Sequence, residues 1–191
     1  RVSKVSQGQR VTMDPMISCT TRGYPPEDPC PSCSEGLHCT CERAGEDGIT
    51  LIRGKPLSRG LTIGYHRDLP GGWGQTVLAH ESQVFPVDDA LPDNAAVLLE
   101  PLSIALHAVL RSPPRDQEAA LVIGSGTIAL ATIWALRAIG FQGPILAQAK
   151  RDHEQKLART LGATDVAAPG PEARQALIET GASAYMPVVG P

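Results

Sequence analysis

AALVIGSGTIAL, residues 119–130, decides the fold. An apolar run ends on Gly124, a second glycine follows at 126, and TIALATIWALRAIG (127–140) sets apolar side chains at helical spacing. Further along, strand-like PILAQA (144–149), helical DHEQKLARTLG (152–162), short TDVAA (164–168), helical PEARQALIETG (171–181) and a final strand-like SAYMPVV (183–189) continue the alternation. Strands and helices in turn imply βαβ units and a parallel sheet. Immediately before them, NAAVLLEPLSIALHAVLR (94–111) reads as a helix leading into the first buried strand.

A glycine turn at that junction is where a dinucleotide fingerprint has to lie to work. Gly124 would allow the tight turn and Gly126 the close approach of backbone to a pyrophosphate. Ala129, small like the usual third glycine, would let helix pack on strand. Ser125, Thr127 and Ile128 complete the turn and the helix start, whose N-terminus faces the anion. At the end of the next strand a carboxylate normally meets the adenosine ribose, but here Ala149 stands in its place and Lys150 and Arg151 follow. Two cations without an acid favour NADP over NAD, because they can pair with a 2′-phosphate.

The first half has a different texture. Up to about Pro92 it is rich in Gly and Pro, with short apolar stretches such as RVTMDPMI (10–17) and QTVLAHESQVFPV (75–87) and turn signals such as PGGWG (70–74), so short strands and loops are expected. All five cysteines lie between 19 and 41, mostly in CPSCSEGLHCTC (30–41). Thiolates take zinc tetrahedrally, and a C-x2-C pair such as Cys30 and Cys33 puts two sulfurs of one tight turn on the same ion. Cys41 and Cys19 would close a four-ligand structural site, with His38 or Cys39 as substitutes for Cys19. A disulfide framework needs an oxidising compartment, and a redox pair normally opens a helix after a strand.

With 191 residues, 42% of them hydrophobic, the chain can build a real core. A net charge of -3 and a pI near 5.9 supply no positive field for nucleic acid. No apolar signal core is seen near the start, and no run reads as long and uncharged enough to span a bilayer. A cytoplasmic protein without membrane contact is therefore expected.

Together these motifs resemble the zinc-containing medium-chain dehydrogenases, the superfamily of alcohol, polyol and threonine dehydrogenases, over nearly the whole chain. GQRVTMDPMISC (8–19) looks like the family strand that leads to the first structural-zinc cysteine, and Cys30, Cys33 and Cys41 keep its C-x2-C-x7-C register. VIGSGTIAL and LARTLGATDV are similar to its first nucleotide-binding turn and the end of its second helix. The insertion TTRGYPPEDP (20–29) makes the spacing between Cys19 and Cys30 longer than the family's usual C-x2-C.

The resemblance implies an α/β protein: part of a GroES-like, β-rich catalytic domain at 1–103 with a zinc lobe at about 19–41, then the first part of a Rossmann domain at 104–191. It implies zinc-assisted hydride transfer between nicotinamide and an alcohol, polyol or carbonyl substrate in a homo-oligomeric parent. Glu100, in the tripeptide EPL, aligns with an acid that lies close to the catalytic zinc in polyol-type members. The family's catalytic-zinc ligands fall upstream of Arg1, so the chain is expected to lack them and to be a piece of a longer protein. A non-catalytic NADP-sensing domain and a structural zinc-binding module are the alternatives.

Overall fold

A computed structural model describes residues 2–115 and 117–179. The chain divides into two compact units, Arg1–Ala96 and Val97–Pro191.

The first unit contains β1 (Val11–Met13), a single helical turn α1 (Pro31–Ser34), β2 (Leu51–Ile52), β3 (Lys55–Pro56), β4 (Val84–Pro86) and a short α2 (Asp93–Ala96). β1 and β4 pair antiparallel with Thr12 opposite Phe85, and β2 and β3 form a hairpin closed by Arg53 and Gly54. Both turn residues have positive φ, 53° and 78°, as a two-residue hairpin loop that follows the strand twist requires. The expected strand in QTVLAHESQVFPV is confined to Val84–Pro86. His80 interrupts it: its Nδ1 accepts the Ser82 N–H while Gln83 Oε1 accepts the His80 N–H, which starts a 3-10 turn instead.

A small core of Ile17, Leu57, Ile63 and Leu69 sits under these strands. Polar straps supplement it. Buried Gln83 donates to the carbonyls of Asp14 and Met16, and fully buried Arg22 reaches the carbonyls of Glu46 and Gly60.

The second unit follows the alternation read from the sequence: α3 (Leu99–Arg111), β5 (Ala120–Ile123), α4 (Thr127–Ala138), β6 (Ile145–Gln148), α5 (Asp152–Thr160), β7 (Asp165–Ala167) and α6 (Pro171–Glu179). The three strands are parallel in the order β5-β6-β7, with Val122 opposite Ala147 and Ala147 opposite Val166. Central β6 is buried throughout its first three residues, which explains its unbroken apolar run. Its core joins Ile133, Ala135 and Leu136 of α4 to Ile145, Ala147, Phe141 and Ala158.

Both α4 and α5 end the same way. Gly140 (φ 92°) donates to the Arg137 carbonyl and Phe141 to that of Leu136; Gly162 (φ 115°) and Ala163 repeat the pattern onto Arg159 and Ala158. Such paired bonds satisfy the last helical carbonyls, and the left-handed residue they need is why glycine stands there. Arg137 then ties the two ends together, donating to the carbonyls of Gly162, Phe141 and Gly143.

One expectation needs correcting. Asp93–Arg111, 19 residues containing an 18-residue window of mean hydropathy 1.3, is long and apolar enough by length and composition to cross a membrane. The turn at Val97 and Leu98 divides it into α2 and α3, and Asp93, Glu100 and Arg111 lie within it. The strand expected at SAYMPVV lies outside the described residues.

Candidate metal centre and nucleotide turn

The sulfurs of Cys19, Cys30, Cys33 and Cys41 all lie within 4.8 Å of one another. Each comes from a different local device. Cys30 precedes α1 with Pro31 at the first helical position, where a missing N–H costs nothing. Cys33 sits one turn on, and Cys41 joins two 3-10 turns, His38–Thr40 and Glu42–Gly45. Cys19 arrives from across the insertion: its sulfur accepts the Cys30 N–H at 3.4 Å and lies 3.8 Å from Cys41 Sγ. A tetrahedron with zinc–sulfur bonds of about 2.3 Å has edges of about 3.8 Å, so this spacing suits a shared ion. The five cysteines are free thiols, and Cys39 is exposed and stands apart from the four.

Arg43 folds the insertion. Its Nη1 donates to the Asp28 carbonyl at 2.9 Å, its Nη2 to the Asp28 carboxylate at 3.0 Å, and its guanidinium lies 4.0 Å from the centre of the Tyr24 ring. The Tyr24 N–H in turn donates to the Cys19 carbonyl. Arg43, Asp28 and Tyr24 were invisible to spacing arguments, because nothing local marks their long-range partners.

The thiols compete for charge. Burial pushes Cys33 up to about 12, and the neighbouring thiols of Cys41 and Cys30 add to the effect. Cys19 is also raised, chiefly by burial. Burial opposes ionisation of Cys30 as well, but the N–H groups of Cys33 and Glu42 and the thiols of Cys19 and Cys33 outweigh it and bring it to about 6. Cys30 ionises readily while Cys19 and Cys33 resist, which a divalent cation bound within the cluster would relieve. The donor set fits zinc.

In the second unit the glycine turn joins β5 to α4. Gly124 has φ 118°, a conformation strained for any residue but glycine, while a Cβ there would make only ordinary contact with Ala129 Cβ at 3.7 Å. Gly126 is the N-cap of α4; it has no side chain to satisfy the first helical N–H groups, and a Cβ built on it meets nothing within 4 Å. Thr127 and Ile128 form the first turn of α4 and are exposed. Free N–H groups, an open backbone and a helix N-terminus suit an anion such as a pyrophosphate.

Ala149 is buried, 1% exposed, within the core cluster, and its carbonyl takes the Gln155 amide. Lys150 and Arg151 are exposed. A carboxylate enters here from another position: Glu154 Oε2 accepts the Ser125 hydroxyl at 2.8 Å and the Arg151 N–H at 3.1 Å, while Oε1 lies 3.4 Å from Arg151 Nη1. The one signal in the sequence was its place three residues after the N-cap of α5, where an acid can reach back to the cap. Glu100 lies in the first turn of α3, exposed, and its side chain makes no hydrogen bond among the described residues.

No protein-family model matches the sequence. Among curated proteins it is 31% identical over 146 residues to the (R,R)-butanediol dehydrogenase of Saccharomyces cerevisiae, covering 73% of this chain and 34% of that enzyme. A zinc-binding dehydrogenase from Sinorhizobium meliloti, solved bound to NADP, matches with 29% identity and a TM-score of 0.65 over 88% of this chain and 41% of that one. Galactitol-1-phosphate dehydrogenase from Escherichia coli matches in fold, with a TM-score of 0.67 at 23% identity over 94% of this chain and 45% of its own. The chain thus spans about a third of the length of the curated relatives it matches. The fold is the one the motifs implied: part of a GroES-like, β-rich domain carrying the cysteine lobe, followed by the first part of a Rossmann domain. By its motifs, its fold and these likenesses, the chain resembles the zinc-containing medium-chain dehydrogenases.

Proposed function

We propose that this chain supplies the structural-zinc lobe and the adenosine half of the cofactor groove of a zinc-dependent NAD(P) oxidoreductase. The observation that carries the reading is the Gly124-Ser125-Gly126 turn, set between a parallel strand and an uncapped helix N-terminus. Ser125, Gly126, Thr127 and Ile128 bind the cofactor's phosphates through backbone N–H groups, and Gly124, whose own N–H is donated to the Gln148 carbonyl, makes the turn that presents them. Cys19, Cys30, Cys33 and Cys41 hold one zinc, whose role is to brace a lobe with little apolar core of its own.

Substrates are small alcohols, polyols or the matching carbonyl compounds, a class supported by the butanediol and L-galactonate dehydrogenases among the relatives. Nicotinamide supplies the hydride chemistry when bound, and this chain's own residues bind and orient its adenosine end. Lys150 and Arg151 favour NADP over NAD, and the NADP-bound relative supports that choice. Glu100 is assigned a place near the catalytic metal of the whole enzyme. Residues 1–103 belong to the catalytic domain and 104–191 to the nucleotide-binding domain, with α3 spanning that boundary and the compact units dividing earlier. A homo-oligomeric, cytoplasmic enzyme without membrane or nucleic-acid partners completes the proposal; free thiols in the lobe support a reducing compartment.

Titration of the full chain with ADP-ribose and its 2′-phosphorylated form tests the cofactor half, and metal analysis of protein purified without added zinc tests the lobe. Saturable nucleotide binding lost in Gly126→Val, and about one zinc per chain, are the expected results. Nucleotide binding indifferent to Gly126→Val removes the assignment of the turn.

A further inference from the structure

We infer that Glu154 is the specificity-determining residue at the adenosine end of the groove: its fixed negative charge opposes Lys150 and Arg151 and limits how strongly the site prefers a 2′-phosphate. The inference rests on the glycine turn being a dinucleotide cradle and adds a residue that the sequence pattern did not assign.

A groove of this kind ordinarily carries its ribose-binding carboxylate at the end of the second strand. That position is Ala149, apolar and buried. The nearest carboxylate on the turn side comes instead from Glu154, in the first turn of α5, which crosses to Ser125 between the two glycines. Its side chain is 17% exposed. The Ser125 hydroxyl, then the Arg151 N–H, hold its carboxyl below the usual carboxylate range, so it is ionised at neutral pH.

Three effects follow. The Ser125–Glu154 bond straps the turn after β5 to the start of α5, so the walls on either side of the groove are joined by a side chain from each. Oε1 partly neutralises Arg151, whose side chain is 70% exposed and therefore free to swing to a better anion. And a carboxylate repels a phosphate placed beside Arg151, whereas it accepts from an unmodified ribose hydroxyl. Glu154 thus weighs toward the unphosphorylated ribose and Arg151 toward the phosphorylated one.

Glu154→Gln separates charge from scaffold, because its amide oxygen can still accept from Ser125 and from the Arg151 N–H. Adenosine 2′,5′-bisphosphate and AMP differ only in the 2′-phosphate, and both address the part of the groove this chain carries. Calorimetric titration of the full chain should show Glu154→Gln binding the bisphosphate on the order of tenfold more tightly while AMP changes by less than about twofold, the size expected for one charge removed nearby at an intermediate dielectric. The thermal midpoint should stay where it is. Glu154→Ala should weaken both ligands, since it also cuts the strap.

An unchanged ratio of the two affinities in Glu154→Gln, or a weaker bisphosphate, overturns the inference. So does an equal gain for both ligands. A parent that prefers AMP to the bisphosphate defeats the NADP assignment alone, and the ratio still reports on Glu154. Absence of binding by either ligand to parent and variant overturns the inference together with the reading of the turn.

Discussion

Arg43 grips Asp28 from the far side of the cysteine lobe, with one guanidinium nitrogen 2.9 Å from its carbonyl and another 3.0 Å from its carboxylate. The same guanidinium stacks on Tyr24, which is hydrogen-bonded to Cys19. The insertion between Cys19 and Cys30 is thereby folded back on the segment that carries Cys41. Replacing Arg43 with Ala should weaken zinc retention by on the order of tenfold, the lower end of what is lost when groups that orient metal ligands are removed. Competition against a chromophoric chelator measures it. Retention equal to the parent's would show that Cys19 reaches the cluster without the clasp.

Cys33 and Cys39 make an internal comparison. One lies in the cluster and the other is exposed outside it. Cys33→Ser should reduce bound zinc well below one per chain and loosen the lobe, while Cys39→Ser leaves both as they were. Metal content by mass spectrometry and proteolysis of the lobe report the two effects, and equal losses would reassign the fourth ligand.

Arg22 is fully buried, with its guanidinium on the carbonyls of Glu46 and Gly60 and its Nε unpaired. Its own carbonyl receives the N–H groups of Ile49 and Thr50. Arg22→Met keeps length but leaves two part-buried carbonyls without their donor, and should cost about 2 kcal/mol, within the one to three of a group left unsatisfied. Denaturant unfolding of the first unit's signal checks this. A loss under about 1 kcal/mol would mean that water takes over both carbonyls.

Arg151 offers a charge to a 2′-phosphate but shares it with Glu154 at 3.4 Å. Arg151→Ala should cost NADPH affinity about 1–2 kcal/mol, a charge-assisted bond discounted for solvent exposure, and leave NADH unchanged. Fluorescence titration of the two reduced cofactors decides it. Equal losses for both would remove Arg151 from phosphate recognition.

Asp68 should make the first unit acid-sensitive. The Ser58 hydroxyl and N–H, with Arg67 beside them, bring its carboxyl down to about 2. A carboxyl depressed on folding adds stability that is complete above its unfolded value, near 4, and is lost as pH falls toward 2. The melting temperature of the parent should therefore converge on that of Asp68→Asn between about pH 4 and pH 2. A constant gap between them over that window would exclude the carboxylate as its source.

The order of the described elements in the second unit, its glycine turn and the helix ends at Gly140 and Gly162 were all readable from sequence. Each is written in neighbouring residues: apolar spacing marks the faces, and a required positive φ leaves glycine as the residue without strain. The C-x2-C pair was readable for the same reason. Other features needed the folded chain. His80 turned an expected strand into a loop through bonds to Ser82 and Gln83. Ala149, read as a ribose-facing position, is packed into the core, and the carboxylate beside the turn comes from Glu154, 29 residues from Ser125.

The sequence by itself determined which segments of the second unit become strands, helices and turns, and that thiols and glycines are concentrated where metal and phosphate chemistry needs them. Only the tertiary structure decided that Cys19 joins Cys30, Cys33 and Cys41, and that Glu154 reaches Ser125. Periodicity and turn chemistry act between residues a few positions apart. Contacts across an insertion or between strand ends depend on how distant segments pack, and side chains such as Arg43 and Arg22 that hold them carry no local mark of their partners.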